Sequence, residues 1–259
     1  MIHIDDIRKS FDGTPVLKGI SHEFESGKVS LIMGKSGSGK TVLIKCMVGL
    51  LQPDSGGVRY DGRDFISLNR AERKKVRQEI GFLFQGSALF DSLTVEENVR
   101  FPLDMFTKWT KAEKDERVNF CLERVNLVGA NKKYPSEISG GMAKRVGIAR
   151  AIVLRPKYLF CDEPNSGLDP KTAGVIDELI LDITHDFGIT TIMNTHDMNS
   201  VMEIGERVLF LHLGEKRWAG TKDQILASTD EELDDFMFSS PFLKEAKEAL
   251  IRIQGISKG

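Results

Sequence analysis

Four short apolar runs recur along the chain, and each ends in polar residues. The runs and the residues that follow them are 28–33 before Gly34, 79–84 before Gln85, 158–161 before Asp162, and 189–194 before Thr195-His196. Segments with helical spacing lie between the runs, of which 172–184 is the clearest. This alternation predicts an α/β fold built on a mostly parallel sheet. Because ligands bind at the carboxyl edge of such sheets, the polar endings predict a site there.

Two segments depart from this alternation. Ile20, His22 and Phe24 alternate with polar neighbours, which predicts an N-terminal antiparallel β subdomain with one face in water. Residues 93–155 show helical spacing and no convincing strand, so an inserted helical subdomain is predicted, with Pro102 and Pro135 as helix breakers.

Composition narrows the class of protein. The 259 residues are 41% apolar and 29% charged, and 36 basic residues against 38 acidic ones give a net charge of −2. This is a globular composition without the positive charge that nucleic acid attracts, so no nucleic-acid partner is expected. Cys46, Cys121 and Cys161 are far apart and predict reduced thiols in a cytoplasmic protein. Neither a basic leader nor an apolar run of roughly 18 residues is present, so no signal peptide or membrane span is expected.

A glycine-rich loop follows the first apolar run and carries the strongest chemical signal. It reads Gly34-Lys35-Ser36-Gly37-Ser38-Gly39-Lys40-Thr41-Val42, which satisfies G-x-x-x-x-G-K-[ST] between a strand and a helix beginning near Thr41. Backbone N–H groups of such a loop bind phosphates, Lys40 would reach the outer phosphates, and the Thr41 hydroxyl would bind Mg²⁺. The alternative is a flexible glycine turn.

Two acidic residues follow the third apolar run. Asp162 and Glu163 come directly after a strand that is predicted to be buried, where a carboxylate without a cation or donor is costly. Asp162 would hold magnesium through water, and Glu163 would polarise an attacking water as general base. Without the phosphate loop, an ordinary acidic turn would be the better interpretation.

A second candidate anion site precedes a predicted helix over 143–154. Ser139, Gly140 and Gly141 can present a hydroxyl and backbone N–H groups at the positive end of that helix. Taken alone, this pattern is typical of a helix cap.

Together these motifs resemble those of ATP-binding-cassette ATPases. The resemblance rests on the phosphate loop, Gln85, Ser139-Gly140-Gly141, Asp162-Glu163, Ser166-Gly167-Leu168-Asp169 and His196, in that order and spacing. It implies a P-loop NTPase fold and an ATPase that uses ATP and Mg²⁺. Two sequence departures accompany it: the signature usually ends in glutamine and here ends in Met142, and Asn165 stands where threonine or a small or apolar residue is usual.

The resemblance also implies how the site works. Two copies would stack head to tail, so that each ATP lies between the phosphate loop of one subunit and Ser139 of the other. Gln85 would contact magnesium and the attacking water, and His196 would contact the γ-phosphate. Asp169 would link the two sites across the interface. The remaining implied contacts are with adenine: Phe11 would stack on it and Val16 would be the neighbouring apolar contact.

A narrower resemblance concerns the transport system. The segment 84–103 and the run Met142-Ala143-Lys144-Arg145 look like the ATPase of phospholipid transporters that work with MCE-domain proteins, the maintenance-of-lipid-asymmetry system. Such a subunit works with a separate integral membrane permease, on the cytoplasmic face of the membrane. Amino-acid importers and lipoprotein-release ATPases share most of the framework, and a soluble cassette acting on nucleic acid or ribosomes is a further alternative.

The C-terminal part is predicted to be a separate feature. A cassette domain over 1–238 would be followed by an amphipathic helical extension over 239–259, opened by Pro241. Thr229 with Glu232 predicts the capping box of a short helix before it. The extension would either pack on its own domain or reach a partner subunit.

Overall fold

A six-stranded sheet carries the candidate site, and a smaller antiparallel sheet lies beside it. The computed structural model describes residues 1–239, 243–245, 247 and 249. Its strands are β1 (Ile2–Phe11), β2 (Thr14–Phe24), β3 (Val29–Met33), β4 (Ser55–Tyr60), β5 (Arg63–Asp64), β6 (Ile80–Leu83), β7 (Tyr158–Asp162), β8 (Thr190–Thr195), β9 (Arg207–His212) and β10 (Glu215–Gly220). Its helices are α1 (Lys40–Met47), α2 (Arg70–Gln78), α3 (Val95–Phe106), α4 (Lys111–Arg124), α5 (Gly140–Ile152), α6 (Pro170–Phe187), α7 (Met198–Ile204), α8 (Lys222–Ala227) and α9 (Glu231–Met237).

The large sheet has the strand order β10-β9-β3-β8-β7-β6. Every pairing in it is parallel except that of β10 with β9. The four predicted apolar runs are β3, β8, β7 and β6, which are contiguous, so the α/β prediction is confirmed. Every residue of β3, β7 and β8 is buried. Strands covered on both faces need no polar alternation, which explains their continuous apolar runs.

The small sheet has the order β2-β1-β4-β5. Ile20 and Phe24 of β2 are buried and the intervening Ser21 and Glu23 are exposed, as the period-two pattern predicts. Strands β4 and β5 were not predicted, because Ser55-Gly56-Gly57 has weak strand propensity. Gly56 is required by close approach rather than by propensity: a Cβ there would lie 2.3 Å from the Asp6 carbonyl oxygen.

Helix α1 lies between the two sheets, and both contribute to one apolar core around it. Leu43, Ile44 and Met47 of α1 are fully buried in that core. Tyr60 of the small sheet stacks edge-on against Tyr158 of the large sheet at 4.8 Å, and its hydroxyl donates to the Met47 carbonyl oxygen at 2.9 Å. These contacts hold α1 against both sheets, and residues 34–39 join its N-terminus to the carboxyl end of β3.

The opposite face of the large sheet packs on the predicted helical subdomain. Residues 93–155 form α3, α4, a 3₁₀ turn (Pro135–Glu137) and α5. The prediction that Pro102 breaks a helix was wrong, because it lies inside α3. A proline inside a helix loses one backbone hydrogen bond, and tertiary packing of the helix can compensate for this loss. Val99 and Leu103 lie on one face of α3, are completely buried and supply that packing.

Two predicted helix starts are shifted in the structure. Helix α5 begins at Gly140 rather than at residue 143, because Ser139 already caps it. Thr229 does not cap α9: the Asp230 carboxylate accepts the Leu233 N–H at 3.0 Å. An aspartate directly before Glu231 is a strong N-cap, and its charge also interacts favourably with the helix dipole.

The predicted extension over 239–259, with Pro241 at its start, lies largely outside the described residues. Where it is described, Leu243 packs on the main apolar core. Lys247 is 8% exposed, and its ammonium contacts both carboxylate oxygens of Asp234 at 2.7 Å and lies 4.9 Å from the centre of the Phe238 ring. These positions therefore pack on α9 of the same chain.

The three cysteines lie in the interior of the protein. Cys46, Cys121 and Cys161 are free and buried, and burial raises the pKa of the first two thiols to about 11. A thiol with so high a pKa is a poor nucleophile at neutral pH.

Among the helices of the described residues, none combines the length and the apolar character required to cross a membrane.

Candidate functional site

The phosphate loop connects the carboxyl end of β3 to α1 and has the backbone shape that anion binding needs. Gly39 has a φ of 100° and is the N-cap of α1, a conformation that glycine adopts without strain. The side chains of Lys35 and Ser36 are exposed, whereas Ser38 is 5% exposed. The Ser38 hydroxyl is buried and has no partner in the described part of the chain. A free donor beside a helix N-terminus fits a phosphate oxygen.

Lys40 lies at the start of α1 with its ammonium folded into the loop. It is 6% exposed, and Nζ donates to the carbonyl oxygens of Gly34 at 2.7 Å and Lys35 at 3.2 Å. Burial lowers the Lys40 pKa, and the nearby carboxylates of Glu163 and Asp162 act in the opposite direction. Carbonyl oxygens are weaker partners than phosphate, so this lysine is available to an incoming anion.

Asp162 at the end of β7 joins two other segments. Its Oδ1 accepts the Thr41 hydroxyl at 3.0 Å and the Asn194 amide at 2.6 Å. Thr41 and Asp162, predicted as metal ligands, are thus in direct contact. Asn194 was not predicted as part of the site. The available signal was an amide placed in an otherwise apolar run.

Three predicted catalytic residues form a second cluster beside the first. The Gln85 amide donates to Glu163 Oε2 at 3.0 Å and to the Ser166 hydroxyl at 3.3 Å. His196 Nδ1 lies 3.4 Å from Glu163 Oε1. Glu163 has a φ of 47°, unusual for a residue with a side chain. The strained backbone turns its carboxylate toward Gln85 and His196, where it can polarise a water molecule.

Ser139, Gly140 and Gly141 lie at the N-terminus of α5. The Ser139 hydroxyl accepts the Met142 N–H at 3.2 Å, and Ser139 and Gly140 are exposed. Among the described residues, no hydrogen bond joins this helix start to the phosphate loop. A Cβ on Gly141 would lie 2.8 Å from Thr172 Cγ2, so this glycine is needed for the close approach of α5 to α6.

The remaining predicted ligands flank these clusters. Asp169 caps α6: its carboxylate accepts the Thr172 hydroxyl at 2.5 Å and the Thr172 N–H at 3.0 Å, and these bonds lower its pKa. Phe11 is exposed at the end of β1. Val16 adjoins the phosphate loop, since a Cβ on Gly39 would lie 3.2 Å from the Val16 carbonyl oxygen.

Residues of the helical subdomain hold the Gln85 turn, and none of them was predicted to do so. Lys144 is 5% exposed and donates to the Gln85 carbonyl oxygen. Arg150 donates to the carbonyl oxygens of Ser87 and, at 2.8 Å, Ala88. Buried Asn98 accepts the Phe90 N–H and donates to three carbonyl oxygens of residues 90–94. Two side chains of α5 therefore hold residues 85–88, and Asn98 holds the following residues 90–94 from nearby in sequence.

A buried polar cluster lies behind Glu163. The Asn165 amide donates to Asp177 Oδ1 of α6 at 2.8 Å and to the Ser200 hydroxyl of α7 at 3.1 Å. Burial raises the pKa of Asp177 to about 6; the carboxylates of Asp197 and Glu203 add to this increase, and the hydrogen bonds oppose it. The cluster ties the segment after β7 to the helix that follows His196.

We predict that Asp177→Asn stabilises the protein at neutral pH. The folded state raises the Asp177 pKa from 3.8 to about 6, so its contribution to stability is complete below about pH 4 and is lost as the pH rises through 6. At about 1.4 kcal/mol per pKa unit, the variant should gain up to about 3 kcal/mol at neutral pH and little at pH 4. Urea denaturation at several pH values measures this difference.

Asp182→Asn is the matched control, since Asp182 is exposed on the same helix. Its free energy of unfolding should stay within about 0.5 kcal/mol of the wild type at each pH. A difference between Asp177→Asn and wild type that does not change with pH would contradict the prediction.

Comparisons with known proteins identify the family of this chain. The family model described as ABC transporter matches residues 17–166. The probable ribonucleotide transport ATP-binding protein mkl of Mycobacterium leprae is 36% identical over 236 residues, which cover 91% of this chain and 68% of that protein. The methionine import ATP-binding protein MetN of Rhizobium etli is 40% identical over 214 residues, 83% of this chain and 59% of that protein. The chain thus spans between 59% and 68% of the length of these two relatives.

Solved structures give the same result. A dimeric ATP-binding cassette in a post-hydrolysis state bound to ADP and Pi is 31% identical, with a TM-score of 0.79, over 86% of this chain and 99% of that one. The protein cbiO1 from Clostridium perfringens, part of the ABC transporter complex cbiONQ, is 29% identical, with a TM-score of 0.81, over 96% of this chain and 98% of that one. With a phosphate loop, a buried aspartate and a glutamate at one sheet edge, the chain belongs to the ABC transporter family, as an ATP-hydrolysing cassette.

Proposed function

We propose that two copies of this chain bind two ATP molecules head to tail and hydrolyse them. The observation that carries the proposal is the exposed N-terminus of α5, where Ser139 and Gly140 form a positive helix end without an anionic partner in the described part of the chain. A second copy could place its ATP there. The related dimeric cassette bound to ADP and Pi supports this arrangement.

The proposed nucleotide site combines the residues of the loop and its neighbours. The backbone of residues 34–41 binds the phosphates, Lys40 pairs with the outer ones, and Phe11 and Val16 contact adenine. Glu163 serves as general base, with Gln85 and His196 fixing its carboxylate, and Asp169 connects the paired sites. Val42, in the first turn of α1, is the last residue of the proposed nucleotide-binding site.

A magnesium ion suits the donors that meet beside the phosphate loop. The Thr41 hydroxyl, the Asp162 carboxylate and the Gln85 amide carbonyl are oxygen donors of the kind that Mg²⁺ prefers, and they would hold it together with phosphate and water. Bound there, the ion would neutralise charge on the phosphate oxygens during hydrolysis. The Thr41 hydroxyl lies 3.0 Å from Asp162 Oδ1, so two of these donors are adjacent.

Exposed aromatic side chains beside Gln85 suggest where a permease binds. Phe84 is 39% exposed and follows β6 directly, and Phe90 contacts Phe101 with ring centres 4.7 Å apart. We infer that an integral membrane permease docks here and holds the cassette on the cytoplasmic face of the membrane. The complex that contains cbiO1 supports this assignment.

For the transported molecule we propose phospholipid, with an MCE-domain protein as a further partner. The run Met142-Ala143-Lys144-Arg145 and the segment 84–103 support this class. Amino-acid import is the second candidate, favoured by the methionine import relative at 40% identity. The two differ in the permease and the solute, which the cassette itself need not contact.

Glu163→Gln should bind ATP but lose at least about 100-fold in turnover, since it removes the general base and keeps the shape of the side chain. Stalled hydrolysis should also trap a dimer with ATP. Phosphate release and size-exclusion chromatography measure the two effects. The matched control is Glu116→Gln, an exposed residue of α4, which should behave as wild type. Wild-type turnover in Glu163→Gln would contradict the general-base assignment.

The head-to-tail arrangement predicts a specific crosslink. In the Glu163→Gln background, Ser36→Cys on the phosphate loop and Ser139→Cys on α5 should form an intermolecular disulfide with ATP and none without it. Both positions are exposed, and the three native cysteines are buried. Each single variant is the control. Absence of the crosslink with ATP would overturn the dimer.

The substrate class can be tested on the native complex. Purification from membranes in detergent should yield a permease, an MCE-domain protein and bound phospholipid, identified by mass spectrometry. Recovery of a methionine- or ribonucleotide-binding partner instead would replace the lipid assignment. Recovery of a membrane-free complex with nucleic-acid-stimulated ATPase activity would overturn the transport function.

A further inference from the structure

Asn194 is a buried amide in a strand where an apolar residue would satisfy the fold. All six residues of β8 are buried, and Asn194 is 0% exposed. Its Oδ1 is buried and accepts no hydrogen bond from any described residue. An unpaired buried acceptor costs roughly 1–3 kcal/mol, a cost that an apolar residue at this position would avoid.

The sheet register places this amide directly beside Asp162. Asn194 is opposite Asp162 of β7 on one side and opposite Ile32 of β3 on the other. Because side chains alternate along a strand, Asn194 shares a face with Ile192, which packs in the core that surrounds α1. The amide therefore lies on the face that carries the phosphate loop.

The hydrogen bonds fix the direction of the amide. Nδ2 donates to Asp162 Oδ1 at 2.6 Å and approaches the Thr41 hydroxyl at 3.5 Å. A flipped amide would set its carbonyl oxygen against the carboxylate, which the short distance excludes. Thr41 donates to the same Oδ1 at 3.0 Å. Two donors thus hold one oxygen of Asp162 and leave Oδ2 for other partners.

We infer that Asn194 is a positioning residue for the magnesium site: its N–H holds the Asp162 carboxylate in the orientation that Mg²⁺ binding needs. This inference rests on the proposed magnesium site and goes beyond it, because it assigns a role to a residue outside the set of proposed ligands. Partners that orient a metal ligand in this way typically contribute about 10–100-fold to metal affinity.

A purely structural role for Asn194 makes a different prediction. If the amide only joined β8 to β7, its loss would change the free energy of unfolding and leave metal binding as it was. The two roles differ in their effect on one ratio, the nucleotide Kd in EDTA divided by the nucleotide Kd in Mg²⁺. This ratio compares two measurements on one folded variant, so a general loss of stability does not change it.

The experiment measures the Kd of a non-hydrolysable ATP analogue by calorimetry, in Mg²⁺ and in EDTA. Asn194→Val should reduce the tightening by Mg²⁺ about tenfold and leave the Kd in EDTA unchanged. Asn194→Thr has the shape of valine but keeps a hydroxyl donor, so it should recover part of the lost tightening. If valine is not tolerated, Asn194→Ala and Asn194→Ser form a second pair that differs only in a hydroxyl.

Thr191→Val is the matched control, since Thr191 is a buried, hydrogen-bonded residue of the same strand on the opposite face. It should lower stability and leave the Mg²⁺ effect at the wild-type value. Equal Mg²⁺ effects in wild type and Asn194→Val, or in the valine and threonine variants, would overturn the role of Asn194. If Mg²⁺ did not tighten binding to the wild type, the proposed magnesium site itself would fail.

Discussion

The site depends on how a buried carboxylate is compensated. Asp162 is 6% exposed at the end of a strand with apolar neighbours, where an isolated negative charge would be costly. Its Oδ1 is instead held by the Thr41 hydroxyl and the Asn194 amide. These donors come from α1 and β8, so one oxygen atom connects the phosphate loop to two neighbouring strands. The requirement to satisfy this charge fixes the relative positions of the parts that bind nucleotide.

Helix α5 of the helical subdomain also contacts the site through a few hydrogen bonds. Lys144 and Arg150 both lie on α5 and donate to carbonyl oxygens of the Gln85 turn. Ser139 caps the same helix at its other end. A helix moves as a rigid element, so a shift at Ser139 would be transmitted to the turn that carries Gln85. Gln85 contacts Glu163, so a continuous path of contacts runs from the start of α5 to the proposed general base.

The parts that the sequence predicted are those determined by local pattern. Continuous apolar runs identified β3, β6, β7 and β8, and the glycine spacing identified the phosphate loop. The missed parts depend on tertiary contacts. Strand β4 forms because Gly56 lets it approach β1, and Pro102 stays helical because the face of α3 that carries Val99 and Leu103 is buried. The roles of Asn98 and Lys144 come from carbonyl oxygens that no sequence pattern marks.

The two departures from the family pattern have a common structural property: both side chains contact other parts of the protein. Met142 packs against the main apolar core, and the Asn165 amide bonds to Asp177 and Ser200 behind the site. Threonine at position 165 could not bridge two partners with a pair of amide hydrogens. Asparagine there links the segment after β7 to α7, the helix that follows His196. Neither contact involves a residue of the phosphate loop. Asn165 supports the segment that carries Glu163, so a change there should alter the position of Glu163 relative to His196 rather than the shape of the loop.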